Sequence, residues 1–418
     1  MRPRVWRRGV HLLTIGAILA VAACASPLRE APPAAAETEA ATVLDGLVDA
    51  RYWADSQGDA MAREGARSVD RELAHLGLGA RIDRLPPATY LSLSGGSDDG
   101  AFGAGLLVGW TAAGTRPSFK MVTGVSTGAL AAPFAFLGPA YDHALRDVYT
   151  AVTPRDVFRQ RSWLAAAFSD SVADTEPLFA LISKHATEEM LSEIAREYRR
   201  GRLLLIGTTQ LDSMRPVIWN IGAIADSGHP GALDLVRRVL LASASVPVAF
   251  PPVMISVTVD GRSHQEMHVD GGAIAQLFLY PAAATADPAL RQRVLAHRQR
   301  TAYVIRNARL GPEWAPVNRR IIPVAARSIA SMIHTSGNSD ILRLQNLTAR
   351  DGVDFNLAYI GRDFTATRTR LFDQAYMNAL FQHGYDLAHQ GYPWAKSHPL
   401  VGLVDPVPRM TRPPASGR

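Results

Sequence analysis

The sequence predicts an α/β fold, a layered domain on a largely parallel central sheet. Two observations predict it. Between residues 89 and 306, short apolar runs of strand composition alternate with segments of helical periodicity. In addition, strand-like Met121-Val122-Thr123 runs straight into Gly124-Val125-Ser126-Thr127-Gly128, and an apolar helical stretch, Ala129 to Leu137, leaves from there. A sharp strand-to-helix turn of this kind sits at the end of a buried strand.

In chain order, the first 23 residues carry Arg2, Arg4, Arg7 and Arg8, then a mainly apolar run, Val10 to Ala23, with no acid. That is the layout of an export signal, too short for a comfortable membrane span. The only cysteine, Cys24, lies at its edge in Leu19-Ala20-Val21-Ala22-Ala23-Cys24-Ala25. This resembles a bacterial lipoprotein signal, in which cleavage before Cys24 exposes it for lipidation. The other reading is an ordinary secretory signal with a chance cysteine. Several acyl chains on Cys24 would anchor the chain to a membrane without a spanning helix, and Ala25 resembles the outer-membrane sorting pattern.

Residues 24–41, with Pro27, Pro32 and Pro33, read as a flexible tether, and 42–87 as a helical extension closed by Pro86-Pro87. The main domain then runs over 88–395. Strands are expected at Thr89–Ser94, Lys120–Thr123, Arg202–Thr209, Val217–Asn220, Met267–Asp270 and Thr301–Arg306. Helices are expected from Gly100 through Trp110, and over Ala129–Leu137, Ala186–Arg200 and Leu233–Ser243. The segment 151–182, rich in Phe, Trp and Leu, has the composition of a lid or membrane-facing lip. Residues 396–418 form a Pro- and Arg-rich tail.

The whole chain of 418 residues carries a formal charge of +6, but the leader's four arginines supply most of it and the remainder is close to +2. An excess confined to an export signal argues against a nucleic-acid partner. With one cysteine no internal disulfide can form, so the fold stands on its core.

Three stretches carry chemistry. Ser126 sits in a GxSxG turn, where Gly124 and Gly128 let the chain close and push the hydroxyl outward. Ser94-Gly95-Gly96-Ser97-Asp98-Asp99-Gly100 follows a strand and can aim the N–H groups of Gly95, Gly96 and Ser97 at a developing oxyanion. Its glycines read GxxGxG onward from Gly100, not the dinucleotide fingerprint, and no Walker A motif occurs. Asp98 and Asp99 read as solvated loop acids rather than a metal pair, so no metal and no cofactor are expected. Asp270 ends a strand before Gly271 and Gly272 and can serve Ser126 as base. His268, two residues earlier, would share its face, so a histidine-containing triad stays open. Trp110, Trp163 and Trp219 read as packing residues, and Phe134, Phe136 and Leu137 as core or acyl-chain neighbours.

Together these residues resemble the patatin-like phospholipases, an acyl hydrolase family. The order of glycine-rich loop, GxSxG and Asp-Gly-Gly matches, as do Gly207-Thr208-Thr209-Gln210-Leu211-Asp212, Trp219-Asn220-Ile221-Gly222-Ala223-Ile224-Ala225, Leu241-Ala242-Ser243-Ala244-Ser245-Val246-Pro247 and Phe250-Pro251-Pro252. The similarity spans roughly 88 to 310. It implies a three-layer α/β/α body, a Ser126–Asp270 dyad, no metal, and a phospholipid or other acyl ester as substrate. Two departures stand out. Ser97 replaces the usual third glycine, and Asp99 replaces the usual basic residue before Gly100, which disfavours an anionic headgroup. The alternatives are a general carboxylesterase or acyltransferase on short or neutral esters, and a non-catalytic envelope scaffold.

Overall fold

The computed structural model describes residues 29–160, 171, 173–295 and 298–399. The expected export signal, Cys24, Trp163 and the residues beyond 399 lie outside the described residues. The first elements are β1 (Arg51–Trp53), α1 (Gly58–His75), β2 (Ala88–Leu93), α2 (Gly100–Ala112), β3 (Met121–Gly124), α3 (Thr127–Leu137), α4 (Asp142–Thr150), α5 (Pro154–Val157), β4 (Arg159–Gln160) and β5 (Ala173–Asp174). Next come α6 (Glu176–His185), α7 (Glu188–Arg199), β6 (Leu203–Gln210), β7 (Arg215–Asn220), α8 (Ile221–Asp226), α9 (Ala232–Ser243), β8 (Val253–Val259) and β9 (Arg262–Asp270). The last are α10 (Pro288–Leu295), β10 (Arg300–Arg306), α11 (Ile321–Asp351), β11 (Asp354–Tyr359) and α12 (Gln374–His389).

Nine strands make one mixed sheet with a parallel centre. Strands β6, β3, β2, β10 and β11 lie side by side and parallel, while β7 and β1 continue one edge antiparallel. Strand β6 forks. Along one edge its residues Leu203–Ile206 pair with β3, and Thr208–Gln210 then pair antiparallel with β9. Gly207 lies at the junction.

The central strands are apolar on both faces because both are covered. Leu91, Leu93, Val122, Leu204 and Ile206 bury toward α2, α3, α9 and α12. Tyr90, Met121, Leu203, Leu205 and Val304 bury toward α1 and the second half of α11. The result is an α/β/α body.

Several local expectations differ from the structure. The extension is α-helical only over Gly58–His75, with a short 3-10 turn at Ile82–Arg84, and Arg51–Trp53 adds a strand to the sheet edge against Val217–Trp219. The described part of the tether is tied to the body: Arg29 makes two 2.9 Å bonds to Asp212, and the Gln265 N–H donates to the Ala31 carbonyl at 3.4 Å. Strand β9 begins at Arg262, five residues before the expected start, and is half of a hairpin turned at Asp260-Gly261, both at positive φ. Among the described residues no helix is long and apolar enough to cross a membrane.

Candidate active site

The site forms where the parallel strands end at their carboxyl edge, the usual place for a ligand crevice in such sheets. Strand β3 delivers Ser126 in the turn after Gly124. Its φ of 55° and ψ of −128° put a side chain in a region that costs on the order of 1–3 kcal/mol. Neighbours hold it there: the Ser126 N–H donates to Ser243 Oγ at 3.0 Å, and Ser243 Oγ donates to the Gly207 carbonyl at 2.7 Å. The turn itself admits no side chain at its glycines, since a methyl on Gly124 would lie 2.5 Å from the Gly128 carbonyl oxygen, and one on Gly128 2.3 Å from that of Leu93. Ser243 thus ties the elbow to the strand junction, and Ser126 is only 7% exposed.

Strand β9 brings Asp270 opposite Thr208, one residue past Gly207. Its N–H donates to the Ser245 carbonyl at 2.9 Å, and its Oδ1 accepts from the Gly272 N–H at 2.7 Å. A methyl on Gly271 would lie 2.6 Å from the Gly207 carbonyl oxygen, so the Asp-Gly-Gly turn and the β6 junction are in close contact. Burial pushes the Asp270 carboxyl up to about 7, against the opposing pull of the Ser126 hydroxyl and the Gly272 amide. The Ser126 hydroxyl is close enough to favour the carboxylate, yet no bond between them meets strict hydrogen-bond geometry and Oδ2 has no partner. Two such groups, one a buried hydroxyl on a strained turn and one a carboxyl titrating near neutrality, can exchange a proton.

The loop after β2 closes the third side. Gly95 adjoins the Ser126 side chain, for a methyl there would sit 3.0 Å from Ser126 Cβ. A methyl on Gly96 would sit 2.1 Å from the Asn307 carbonyl oxygen. Ser97 adopts φ 55°, a left-handed conformation that a small polar residue tolerates, so the loop keeps its path without the third glycine. Among the described residues, the N–H groups of Gly95, Gly96 and Ser97 donate to no protein acceptor. Three free amides beside a hydroxyl can bind a negative oxygen. Gly100 starts α2 where only glycine fits, 2.3 Å from Thr127 Oγ1 for an added methyl.

The loop is braced by residues the motifs do not include. Asn307 donates to the Ser94 carbonyl at 2.9 Å and accepts from the Gly103 N–H at 3.1 Å. Buried Arg306 reaches the Gly95 carbonyl at 3.4 Å and Gln276 Oε1 at 3.2 Å. The one available signal was position, polar residues ending an apolar strand in a parallel sheet.

The expectation of solvated loop acids is corrected. Asp98 is fully buried, paired with Arg368 and accepting from the Phe372 N–H at 2.9 Å. Asp99 accepts from Tyr376 at 2.6 Å, and burial pushes it up to about 6. Both oppose residues from the far end of the chain, which sequence separation concealed. His268 is also fully buried, with one ring nitrogen on Thr208 Oγ1 at 3.0 Å and the other on Glu266 at 3.1 Å. Neither nitrogen is left for Ser126. Among the described residues no cluster of His, Cys, Asp or Glu could hold a metal ion.

Ser126 and Ser97 open on a cleft enclosing about 930 Å³, part of it open to solvent. Its wall is apolar, with Leu130, Phe134, Leu178, Ile182, Phe250 and Met377 among the lining side chains. Val152, Val157 and Leu181 come from the segment with lid composition, whose residues 161–170 and 172 lie outside the described set. Trp110 and Trp219 pack in the core, and Phe136 stacks under Arg202.

A buried hydroxyl, a near-neutral carboxyl and an apolar cleft suit an ester hydrolase. Residues 91–283 match the family model described as patatin-like phospholipase. The chain therefore carries a patatin-like phospholipase domain over residues 91–283. The match stops short of β10, although the sheet continues through β11. No curated protein matches the chain. Among solved structures, the crystal structure of VipD from Legionella pneumophila aligns at 10% identity and a TM-score of 0.35. The alignment covers 73% of this chain and 66% of that one, and at so low a score it carries no argument.

Proposed function

We propose that the chain hydrolyses acyl esters through a Ser126–Asp270 dyad and an acyl-enzyme. The observation that carries this reading is the convergence of both groups on Gly207, with three free amides on one side and an apolar cleft on the other. Ser126 Oγ attacks the acyl carbonyl while its proton passes to Asp270 Oδ2, the oxygen without a partner. The N–H groups of Gly95, Gly96 and Ser97 take the resulting oxyanion. Collapse breaks the ester C–O bond, and Asp270 returns the proton to the leaving alkoxide. Water, deprotonated by the same carboxylate, then releases the acid from Ser126.

Breadth is favoured over headgroup selection. The cleft wall offers shape and apolar contact, and the Arg368 guanidinium that reaches the loop is engaged by Asp98. A general carboxylesterase or acyltransferase on neutral or short esters therefore fits better than a dedicated phospholipase A. We assign the hydrolase unit to 88–395, since Arg306, Asn307, Arg368 and Tyr376 all brace the loop. Lipid on Cys24 would hold it at a bacterial envelope membrane. Incorporation of a palmitate analogue, lost in Cys24→Ser, tests the anchor.

The deciding experiment compares fatty-acid release from mixed phospholipids with turnover of short and long p-nitrophenyl esters, in wild type, Ser126→Ala and Asp270→Asn. Turnover of short or neutral esters, lost in both variants, supports the broad reading. Phospholipid turnover at a comparable rate narrows it to a phospholipase. A folded wild type that neither turns over any ester nor reacts with a fluorophosphonate leaves a scaffold.

A further inference from the structure

The approach to α11 has no part in the reaction described above. Burial in this helix begins only at Gly337, and from Asp340 onward it packs beneath the sheet, with Asp340 accepting from the Gln276 and Leu277 N–H groups at 2.6 and 3.2 Å. The fifteen residues 321–335 precede that root and extend about 22 Å at ~1.5 Å per residue. At about 100° per residue they divide cleanly. Ile321, Met332, Ile329, Ile322 and Ile333, with three alanines, fill one half of the helix surface. Arg327, Ser328, Ser331, His334 and Thr335 occupy the other, with Pro323 and Val324 as the apolar exceptions.

Much of the apolar half is uncovered, although Ala325, Ile329 and Ile333 are half-buried. Ile321 is 88% exposed, Ile322 60% and Met332 64%, and Trp314 just upstream is 89% exposed. From Trp314 to Ser339 the chain carries Arg319, Arg320 and Arg327 and no acid. An apolar helical face with an arginine rim and an exposed tryptophan is the composition of a helix lying in a lipid headgroup region. The charges decide the occupant. An isologous pairing with a second copy would set three arginines against three with only Glu313, just upstream, to offset them, whereas an anionic leaflet complements them.

We propose that residues 314–333 dock the protein on an anionic lipid surface. The helix root adjoins the site: Ser336 donates to the Ile274 carbonyl at 3.4 Å, and a methyl on Gly337 would lie 2.5 Å from the Arg306 guanidinium, which itself reaches Gly95. Docking therefore places the oxyanion loop next to the membrane. That its substrate is drawn from the same surface rests on the acyl-hydrolase reading, whereas the docking does not.

The test uses the full chain carrying Cys24→Ser, which removes any lipid anchor, with vesicles of phosphatidylglycerol or phosphatidylcholine containing brominated lipid. Quenching of Trp314 is read as the difference between this protein and its Trp314→Phe variant. Three basic residues at roughly fivefold each predict binding on the order of a hundredfold tighter on the anionic vesicles. Ile321→Glu/Ile322→Glu/Met332→Glu should abolish the quenching and vesicle-ester turnover, leave turnover of a soluble short-chain ester unchanged, and Arg319→Glu/Arg320→Glu should erase the anionic preference. Absent quenching, or equal vesicle binding by the triple variant, overturns the proposal. So does a dimer in sedimentation that the triple variant dissolves without any vesicle quenching. Quenching without turnover of any ester sustains the docking surface and sinks the hydrolase reading, and the reverse result does the opposite.

Discussion

Replacing Asp270 by Asn separates chemistry from stability. Burial raises this carboxyl from 3.8 to about 7. Across that window the native chain keeps a proton that the unfolded chain has lost, so stability falls as pH rises and the loss is complete above the folded value. At about 1.4 kcal/mol per pH unit, the interval from pH 5 to pH 8 contains about 3 kcal/mol of it. Asparagine keeps an oxygen for the Gly272 N–H but never ionises, so it escapes this penalty. The melting temperature of Asp270→Asn should therefore gain on wild type by roughly 4 °C between pH 5 and pH 8, for a chain of this length. Ester turnover should fall about 10³- to 10⁴-fold over the same range. Scanning calorimetry at matched ionic strength, beside initial rates on a soluble ester, reads both. A stability gap that does not change with pH, or a variant that retains turnover, would refute the assignment of a buried, ionising base.

Wild-type kcat/KM should rise about tenfold per pH unit below 7 and level off above it, as measured in a pH–rate profile. Gly96→Ala should cost about 10²- to 10³-fold in kcat, because its methyl meets the Asn307 carbonyl and displaces the loop amides. Ser243→Ala removes the bridge between the Ser126 amide and the Gly207 carbonyl and should cost about 1–3 kcal/mol in urea titration, with a drop in kcat larger than any change in KM. Leu181→Trp, in the cleft wall, should raise KM for long-chain esters while sparing short ones.

Much of the candidate site was legible because its proposed parts are local. Ser126 between a four-residue strand and an apolar helix, or Asp270 before two glycines, is a pattern a few residues long, and the central strands advertise themselves by being apolar on both faces. What the sequence concealed depends on distant pairing. Asp98 looked solvated because its partner Arg368 lies 270 residues away. Strand β9 looked short because Arg262–Gln265 point a polar edge outward, although Asp260-Gly261 between alternating residues was a readable hairpin signal. Strand β1 was absorbed into a helical reading because three residues are too few to show a period. The long α11 went unread because its two halves answer to different surroundings, one to the sheet and one to what lies outside the body.

The forked strand has a consequence for when activity can begin. Read from the amino end, a growing chain presents the Gly95 loop and the Ser126 hydroxyl first, Gly207 some eighty residues later, and Asp270 and Asn307 only after that. Strand β6 cannot receive β9 before β9 exists, so the Ser126 hydroxyl is made long before Asp270, its proposed base, can be in place. On the dyad reading, a chain ending before β9 holds the nucleophile without its proton acceptor, and competence waits for completion of the sheet.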